Sequence, residues 1–217
     1  MKVEIWSDVV CPWCYIGKRR FERALDTTRN AKEIEVVWRS FQLNPDHPRG
    51  FRRRHDEYLS EKLGRSVADV QRLDEHVVAL AAAEGLEYDF DRYTVVNTFD
   101  AHRVAHLAAS RGFAGSIEER MLRAQLVEGE VLDDPATLVR LAGDVGVAAA
   151  DVESVLASDA FAADVEEDVR TGLSLGLTGV PFFVIDRAIG VSGAQPTEVF
   201  ERALAMAAES AAVPAAD

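Results

Sequence analysis

The whole thiol content of the chain lies in one tetrapeptide, CPWC, at residues 11–14. The residues just before it, 2–7, alternate apolar and polar side chains, which predicts a short strand. Apolar residues recur at helical spacing over residues 12–30, so a helix is predicted directly after the motif. Both cysteines are therefore expected at the junction between a strand and the N-terminus of a helix.

Further strands are predicted near both ends of the chain. Residues 33–43 are rich in β-branched and aromatic side chains, which predicts a second strand, and the first 45 residues then form a parallel βαβ unit. Residues 181–191 predict a hairpin that turns at Asp186-Arg187, and a last helix is expected to begin near Pro196.

The middle of the chain is predicted to be helical almost throughout, from Ser66 to about residue 177, after a polar loop at residues 46–57. Helix starts are indicated by Ser66, Asn97, Ser116 and Asp134, the last followed by a proline. This order predicts an α/β protein in which a βαβ…ββα domain is interrupted by an inserted helical domain. We expect the division to fall at residues 1–45, 46–177 and 178–217.

Composition excludes several classes of partner. The chain has 217 residues, of which 48% are hydrophobic, and 24 basic against 37 acidic residues give a net charge of -13. An acidic surface argues against nucleic acids and anionic membranes as partners. No stretch approaches about 18 consecutive apolar residues, and the N-terminus, MKVEIWSD, lacks the apolar run of a signal peptide. We therefore expect a cytoplasmic protein, a compartment in which structural disulfides are rare.

Three kinds of site could use two cysteines at this spacing. A structural disulfide between them would close too small a loop to remove much unfolded-state entropy. A zinc ion would need two more ligands, and His102 and His106 lie far outside the usual separation of ligand pairs. No metal is therefore expected. In a redox centre, Cys11 at the helix N-cap and Pro12 at the first helical position would place the Cys11 sulfur at the positive end of the helix dipole, which favours the thiolate.

The order of five motifs along the chain is similar to that of a known family. A strand, CPWC opening a helix, a second strand, a helical insertion, and GVP before a hairpin and a helix resemble a thioredoxin fold of the DsbA-like class. Within that class the sequence resembles the FrnE-type cytoplasmic dithiol oxidoreductases. The resemblance runs from about Val3 to Ala203 and rests on SDVVCPWCYIGKRRFE, FQLNP, NTFDAHR, TGVPFFVID and SGAQP.

The resemblance assigns a role to each part of the site. It implies that Cys11 is the exposed nucleophile and that Cys14 is the thiol that resolves the mixed disulfide. It also implies a cis peptide bond between Val180 and Pro181, with the Val180 backbone available to an extended substrate. The implied function is thiol–disulfide oxidoreductase or isomerase. No cofactor is required, glutathione is allowed as a thiol co-substrate, and the partners are a protein or small thiol and, as a further expectation, a second copy of the chain.

Four other residues carry two interpretations each. Trp13 is expected to be partly exposed and either contacts substrate or packs. Asn97 and His102 are both candidates to line the substrate cleft from the insertion. The alternative for Asn97 is that it caps a helix, and the alternative for His102 is that it is a surface or packed histidine. Asp8 is either an acid that acts on the thiol, for example as a proton relay, or a turn residue, and we interpret it as a turn residue. Many thioredoxins carry a buried acid six residues before the first cysteine, but that position here is Ile5, which leaves proton transfer by a buried carboxylate in doubt.

Two rival functions remain open at this point. The first is a glutathione-dependent isomerase or transferase, because 2-hydroxychromene-2-carboxylate isomerase and the kappa-class transferases share this architecture. That branch usually has serine in place of Cys11, lacks the second cysteine, and has a Ser-Asp pair where this chain has Gly193-Ala194-Gln195. The second is a non-catalytic, redox-sensing accessory protein.

Overall fold

A four-stranded sheet built from the two ends of the chain organises the structure, a computed structural model that describes residues 1–212. Its strands are β1 (Lys2–Ser7), β2 (Glu35–Ser40), β5 (Phe182–Ile185) and β6 (Ile189–Ser192), in the spatial order β2-β1-β5-β6. β1 runs parallel to β2 and antiparallel to β5, and β5 pairs antiparallel with β6. The predicted α/β class, a βαβ…ββα order interrupted by helices, is confirmed.

The hairpin between β5 and β6 turns at the residues that the sequence predicted. Asp186 and Arg187 have φ angles of 47° and 57°. In a two-residue hairpin turn, left-handed backbone angles at both positions give the turn a twist that matches the twist of the two flanking strands. The turn holds β6 beside β5, and the antiparallel pairing of β5 with β1 places the residues that precede β5 close to the residues that follow β1.

One face of the sheet is covered by α1 (Pro12–Thr27) and α9 (Thr197–Ala212). Phe21 of α1, Phe183 of β5 and Phe200 of α9 meet there with ring centroids 4.7 to 5.8 Å apart. Burial of each such ring contributes about 1.5–3 kcal/mol. This aromatic cluster fixes α1, and with it the two cysteines at its start, against the sheet.

The residues between β2 and β5 form most of the helices. These are α2 (His55–Leu63), α3 (Val67–Ala83), α4 (Phe99–Ser110), α5 (Ala114–Arg123), α6 (Pro135–Asp144), α7 (Ala149–Leu156) and α8 (Ala162–Ser174), and a π-helical turn, Ala124–Glu128, continues α5. The helix starts predicted at Ser66 and Asp134 are confirmed, since each side chain accepts a hydrogen bond from the backbone N–H three residues on. The division of the chain at residues 45 and 177 stays a prediction.

Three predictions about this segment were wrong in detail. The polar loop at residues 46–57 contains a short strand, β3 (Arg53–Arg54), and the start of α2. β3 pairs antiparallel with β4 (Thr94–Val95), so the segment after α3 is not helical. Ser116 does not begin a helix but lies inside α5, which starts at Ala114. Among the helices of residues 1–212, none combines the length and apolar character that a bilayer crossing requires.

Candidate active site at the start of the first helix

The CPWC motif forms a tight turn at the N-terminus of α1. Cys11 is the N-cap residue, with extended backbone angles (φ −89°, ψ 114°), and Pro12 occupies the first helical position. The N–H of Cys11 donates to the Asp8 carbonyl oxygen at 2.9 Å, and the N–H of Cys14 donates to the Cys11 carbonyl oxygen at 3.0 Å. These bonds set both free thiols one helical turn apart at the same end of the helix.

The Cys11 sulfur points toward the segment before β5. Its Sγ lies 3.6 Å from the carbonyl oxygen of Val180, and the Val180–Pro181 peptide bond is cis, as the resemblance implied. Cys11 and Pro12 occupy the predicted N-cap and first helical positions, and within residues 1–212 the Cys11 side chain makes no capping hydrogen bond to the helix N-terminus. The contact with Val180 draws the sulfur toward the sheet.

Gly17 lets α1 approach this segment closely. A Cβ atom at Gly17 would lie 2.9 Å from Cγ of Pro181, a distance at which two carbon atoms clash. Only a residue without a side chain fits between the helix and the proline ring. The first turns of α1 and the Val180-Pro181 segment therefore form one packed unit.

Both cysteines are covered by other parts of the chain. Cys11 is 3% exposed and Cys14 is 1% exposed, so Cys14 is shielded as expected, whereas the implied exposure of Cys11 was wrong. Two tyrosines from the segment between α3 and α4 provide part of the cover. The Tyr88 hydroxyl donates to the Pro12 carbonyl oxygen and the Tyr93 hydroxyl donates to the Val10 carbonyl oxygen, both at 2.6 Å. No sequence pattern points to either tyrosine, because only the fold brings their segment to the motif.

An apolar cleft of about 390 Å³ opens beside Cys11. Trp13, 37% exposed, stands at its edge, as predicted for a partly exposed residue. Polar and basic groups on the wall include His55, Lys62 and His76. The apolar lining comes from the motif and the residue before it, from the segment after β2, and from the part of the chain that runs from α2 to β4; it includes Val10, Pro12, Leu43, Tyr58, Phe90 and Tyr93. Cys11 is therefore accessible to a ligand that enters this cleft.

Asn97 and His102 are not among the residues that line this cleft. The Asn97 side-chain NH₂ donates to the His47 carbonyl oxygen at 2.6 Å, and its Oδ1 accepts from the Phe99 N–H at 2.9 Å. Asn97 thus supports the start of α4, although the N-cap position is Thr98. Both residues are buried, so the prediction that they line the substrate cleft does not match their positions.

His102 pairs with Asp8, a fully buried acid that is more than a turn residue. Nε2 of His102 lies 3.3 Å from Oδ1 of Asp8, whose Oδ2 accepts from the Leu43 N–H at 2.8 Å. Burial lowers the pKa of His102, but the hydrogen bond and charge of Asp8 outweigh burial and raise it overall. In the described part of the chain, no group of three or more His, Cys, Asp or Glu side chains is arranged to hold a metal ion.

The Cys14 thiol lies in an environment that disfavours its thiolate form. Burial raises the pKa of the Cys14 thiol well above its ordinary value, and the neighbouring Cys11 raises it further. A hydrogen bond from the Asp8 backbone and one from the Ser7 hydroxyl act in the opposite direction. Cys11, which contacts the cleft, and Cys14, which is enclosed behind it, are therefore chemically distinct.

A model of the DSBA-like thioredoxin domain matches residues 2–205 of the chain. The chain belongs to the DsbA-like family. This DsbA-like protein is similar to a solved structure described as a probable DsbA oxidoreductase from Streptomyces coelicolor, with 44% identity, a TM-score of 0.93, and coverage of 96% of this chain and 90% of that one. It is therefore a member of a thiol oxidoreductase family.

Two more distant structures share the fold of the DsbA-like protein. The cytosolic disulfide reductase DsbM from Pseudomonas aeruginosa, solved with GSH, is 17% identical with a TM-score of 0.66, over 96% of this chain and 100% of that one. A 2-hydroxychromene-2-carboxylate isomerase is also 17% identical, with a TM-score of 0.68 and coverage of 98% of both chains. At this identity they show the fold alone.

Proposed function

We propose that the protein catalyses thiol–disulfide exchange through Cys11 and Cys14. The observation that carries the proposal is the position of Cys11, which lines an open apolar cleft and whose sulfur lies 3.6 Å from the Val180 carbonyl oxygen. A disulfide bound in the cleft would meet Cys11 first, because Cys14 is enclosed behind it. Val180 and Pro181 lie next to Cys11 but do not line the cleft, and we propose that an extended substrate reaches their backbone while Trp13 and Pro12 flank it.

The exchange takes place in two balanced steps. The Cys11 thiolate attacks one sulfur of the substrate disulfide, which forms a mixed disulfide and releases one substrate thiolate. The Cys14 thiolate then attacks the Cys11 sulfur, which forms the Cys11–Cys14 disulfide and releases the second substrate thiolate. The substrate gains two electrons and the dithiol loses two. In the oxidase direction the same steps run in reverse.

The cleft favours substrates that carry an apolar group next to the reacting sulfur. Its lining is mainly aromatic and aliphatic, whereas the protein as a whole is acidic. A cysteine-containing polypeptide with an apolar neighbour fits this description. Glutathione is proposed as the small thiol that regenerates the dithiol, in the cytoplasm, and the DsbM structure solved with GSH supports that choice.

Insulin reduction tests the proposal, with wild type compared with Cys11→Ser and Cys14→Ser. We expect wild type to accelerate reduction and Cys11→Ser to lose the acceleration. Equal rates for wild type and Cys11→Ser would overturn the proposal. The direction of physiological exchange follows from the reduction potential measured against glutathione: a value near about −270 mV indicates a reductase, and one near about −120 mV an oxidant.

A further inference from the structure

A second hollow, here called the outer pocket, adjoins the cleft beside Cys11. It lies between α2 and the segment that follows β2, and its volume is about 420 Å³, similar to the 390 Å³ of the cleft. Leu43, Asn44, Tyr58 and Lys62 line both hollows, so the two meet along a shared edge. A ligand that reaches Cys11 through the cleft can therefore continue into the outer pocket, a space that the exchange chemistry itself does not use.

The outer pocket presents an aromatic side chain on a loop that is held in place. Phe51 lines this pocket and is 53% exposed. Nε2 of His47 lies 2.8 Å from the Phe51 carbonyl oxygen, and the N–H of Gly50 donates to Oδ2 of Asp133 at 3.0 Å. The Asn97 side chain donates to the His47 carbonyl oxygen and so ties the loop to the start of α4. Phe51 is therefore a preformed apolar contact for a ligand.

The shared edge carries hydrogen-bond donors that the chain leaves unused. Oδ1 of Asn44 accepts from the Tyr58 hydroxyl and from the Lys62 ammonium group, both at 2.6 Å. Because an ammonium group can only donate, the amide oxygen must face Lys62, and the amide NH₂ faces away from it. Among residues 1–212 this NH₂ has no acceptor, and Lys62 uses one of its three N–H donors, on Asn44.

Lys62 forms no ion pair within the described part of the chain, whereas other charged groups nearby are paired. Arg53 of the outer pocket pairs with Glu61 at 2.8 Å. Asp74, the acidic residue of the cleft, lies 3.1 Å from Nε2 of His55. A cation without a charged partner, next to amide donors without an acceptor, favours a ligand carboxylate, because a carboxylate accepts charge-assisted hydrogen bonds from both groups.

We propose that the outer pocket binds the polypeptide segment next to the reacting cysteine of a substrate, with an acidic side chain held by Lys62 and Asn44 and an apolar side chain packed on Phe51. Glutathione carries carboxylates but no apolar side chain, so it would leave the Phe51 contact unused. Asp46 lines the outer pocket but not the cleft, and it repels a second acidic group there. The preferred substrate therefore has an acidic residue close to its cysteine and an apolar residue beyond it. This substrate class rests on the exchange function proposed above.

Short peptides that carry one cysteine as a mixed disulfide with 2-thiopyridine test the proposal. The reduced dithiol converts each mixed disulfide into a peptide thiol and thiopyridone, whose absorbance is followed and which carries no carboxylate. A Glu-Leu pair, with the glutamate nearer the cysteine, is placed on either side of it and compared with Gln-Leu, Lys-Leu and Glu-Ser. At limiting peptide we expect wild type to react about fivefold faster with Glu-Leu than with Gln-Leu or Glu-Ser, the size of one exposed ion pair or one partly buried apolar side chain. Lys-Leu should react more slowly than Gln-Leu.

Substitutions at Lys62 and Phe51 separate the two contacts. Lys62→Gln should make the Glu-Leu and Gln-Leu rates equal, and Lys62→Arg should keep them apart. Phe51→Ser should make the Glu-Leu and Glu-Ser rates equal, and Phe51→Leu should keep them apart. Each comparison is a ratio between peptides for one variant, so it does not depend on the fraction of active protein. Added salt should reduce the preference for glutamate but not the preference for leucine.

Lys32→Gln and Leu173→Ser are the matched controls. Both residues are exposed, and neither lines the cleft or the outer pocket, so both variants should keep the wild-type ratios. Equal rates for all peptides in a wild type that reacts with them would overturn this proposal alone. So would a Lys62→Gln variant that is slowed with oxidised glutathione while Phe51→Ser keeps every peptide ratio, because the shared edge would then serve a small thiol. A wild type that releases thiopyridone from none of the peptides would contradict the proposed function itself.

Discussion

The sulfur of Cys11 lies 3.6 Å from the carbonyl oxygen of Val180, although 169 positions separate the two residues in the chain. The contact exists because β1 and β5 are neighbours in the sheet, so that the residues after one and before the other meet at the same edge. A change on either side of this contact should therefore affect exchange or stability.

Replacement of the resolving thiol should trap the substrate. In Cys14→Ser the mixed disulfide formed at Cys11 has no internal thiol to attack it, so we expect it to accumulate during incubation with oxidised glutathione. Intact-mass spectrometry would show one added glutathione per chain. Cys11→Ser is the control and should add none at the enclosed Cys14. Equal labelling of the two variants would contradict the division of roles.

A methyl group at Gly17 should disturb the packing of α1 against Pro181. The new Cβ would lie 2.9 Å from Cγ of the proline, so we expect Gly17→Ala to lower the free energy of unfolding by about 1–3 kcal/mol. Gly143→Ala is the control, because a methyl group at Gly143 in α6 would meet no heavy atom of another element of residues 1–212 within 4 Å, and alanine there should add up to about 1 kcal/mol. Urea denaturation of both variants measures the difference, and a neutral Gly17→Ala would show that the segment moves freely.

The Tyr93 hydroxyl should stabilise the loop that precedes Cys11. Its removal in Tyr93→Phe leaves the Val10 carbonyl oxygen without this donor, so we expect a loss of about 1–3 kcal/mol in the free energy of unfolding. Tyr58→Phe is the comparison, because the Asn44 oxygen that Tyr58 contacts also accepts from Lys62. The two variants are compared by urea denaturation, and equal losses would argue against a special role for the Tyr93 bond.

Glu119 should make stability depend on pH in acid. Burial raises its pKa, but hydrogen bonds from Arg19, Lys18 and Tyr15 outweigh burial and lower the pKa to about 2. A carboxyl group whose pKa falls on folding stabilises the native state above its unfolded pKa, about 4.3, and loses that contribution as the pH falls through the folded value. We expect the difference in unfolding free energy between wild type and Glu119→Gln to be constant above about pH 5 and to shrink between about pH 4.5 and 2. A difference that grows on acidification would refute the assignment.

The elements that the sequence predicted well are those set by neighbouring residues. The alternation in residues 2–7 and the Asp186-Arg187 turn depend on local backbone preferences, and both were found where expected. The β3–β4 pair was missed because strands of two residues are too short to show an alternating pattern. The Ser116 start was wrong because α5 already begins at Ala114, and its first turn needs no serine cap.

The parts of the site that could not be predicted depend on contacts between distant segments. The CPWC motif located the thiols, but their burial depends on Tyr88 and Tyr93, which reach the motif only in the folded chain. Ile5 occupies the position at which many thioredoxins have a buried acid. The structure instead buries Glu118, 111 positions after Ser7 in the chain, where its carboxylate accepts a hydrogen bond from the Ser7 hydroxyl. No pattern within either segment indicates that pairing.

The order of the strands has a consequence for the nascent chain. Cys11 and Cys14 are synthesised first, whereas β5, which brings Val180 to them, follows about 170 residues later and thus roughly 10 to 30 s later at ordinary elongation rates. Throughout that interval the Cys11 sulfur lacks its contact with Val180, so ribosome-bound chains that end before residue 180 should be alkylated faster than the finished protein. The protein that is proposed to manage disulfides elsewhere is itself most open to unwanted oxidation while it is being made.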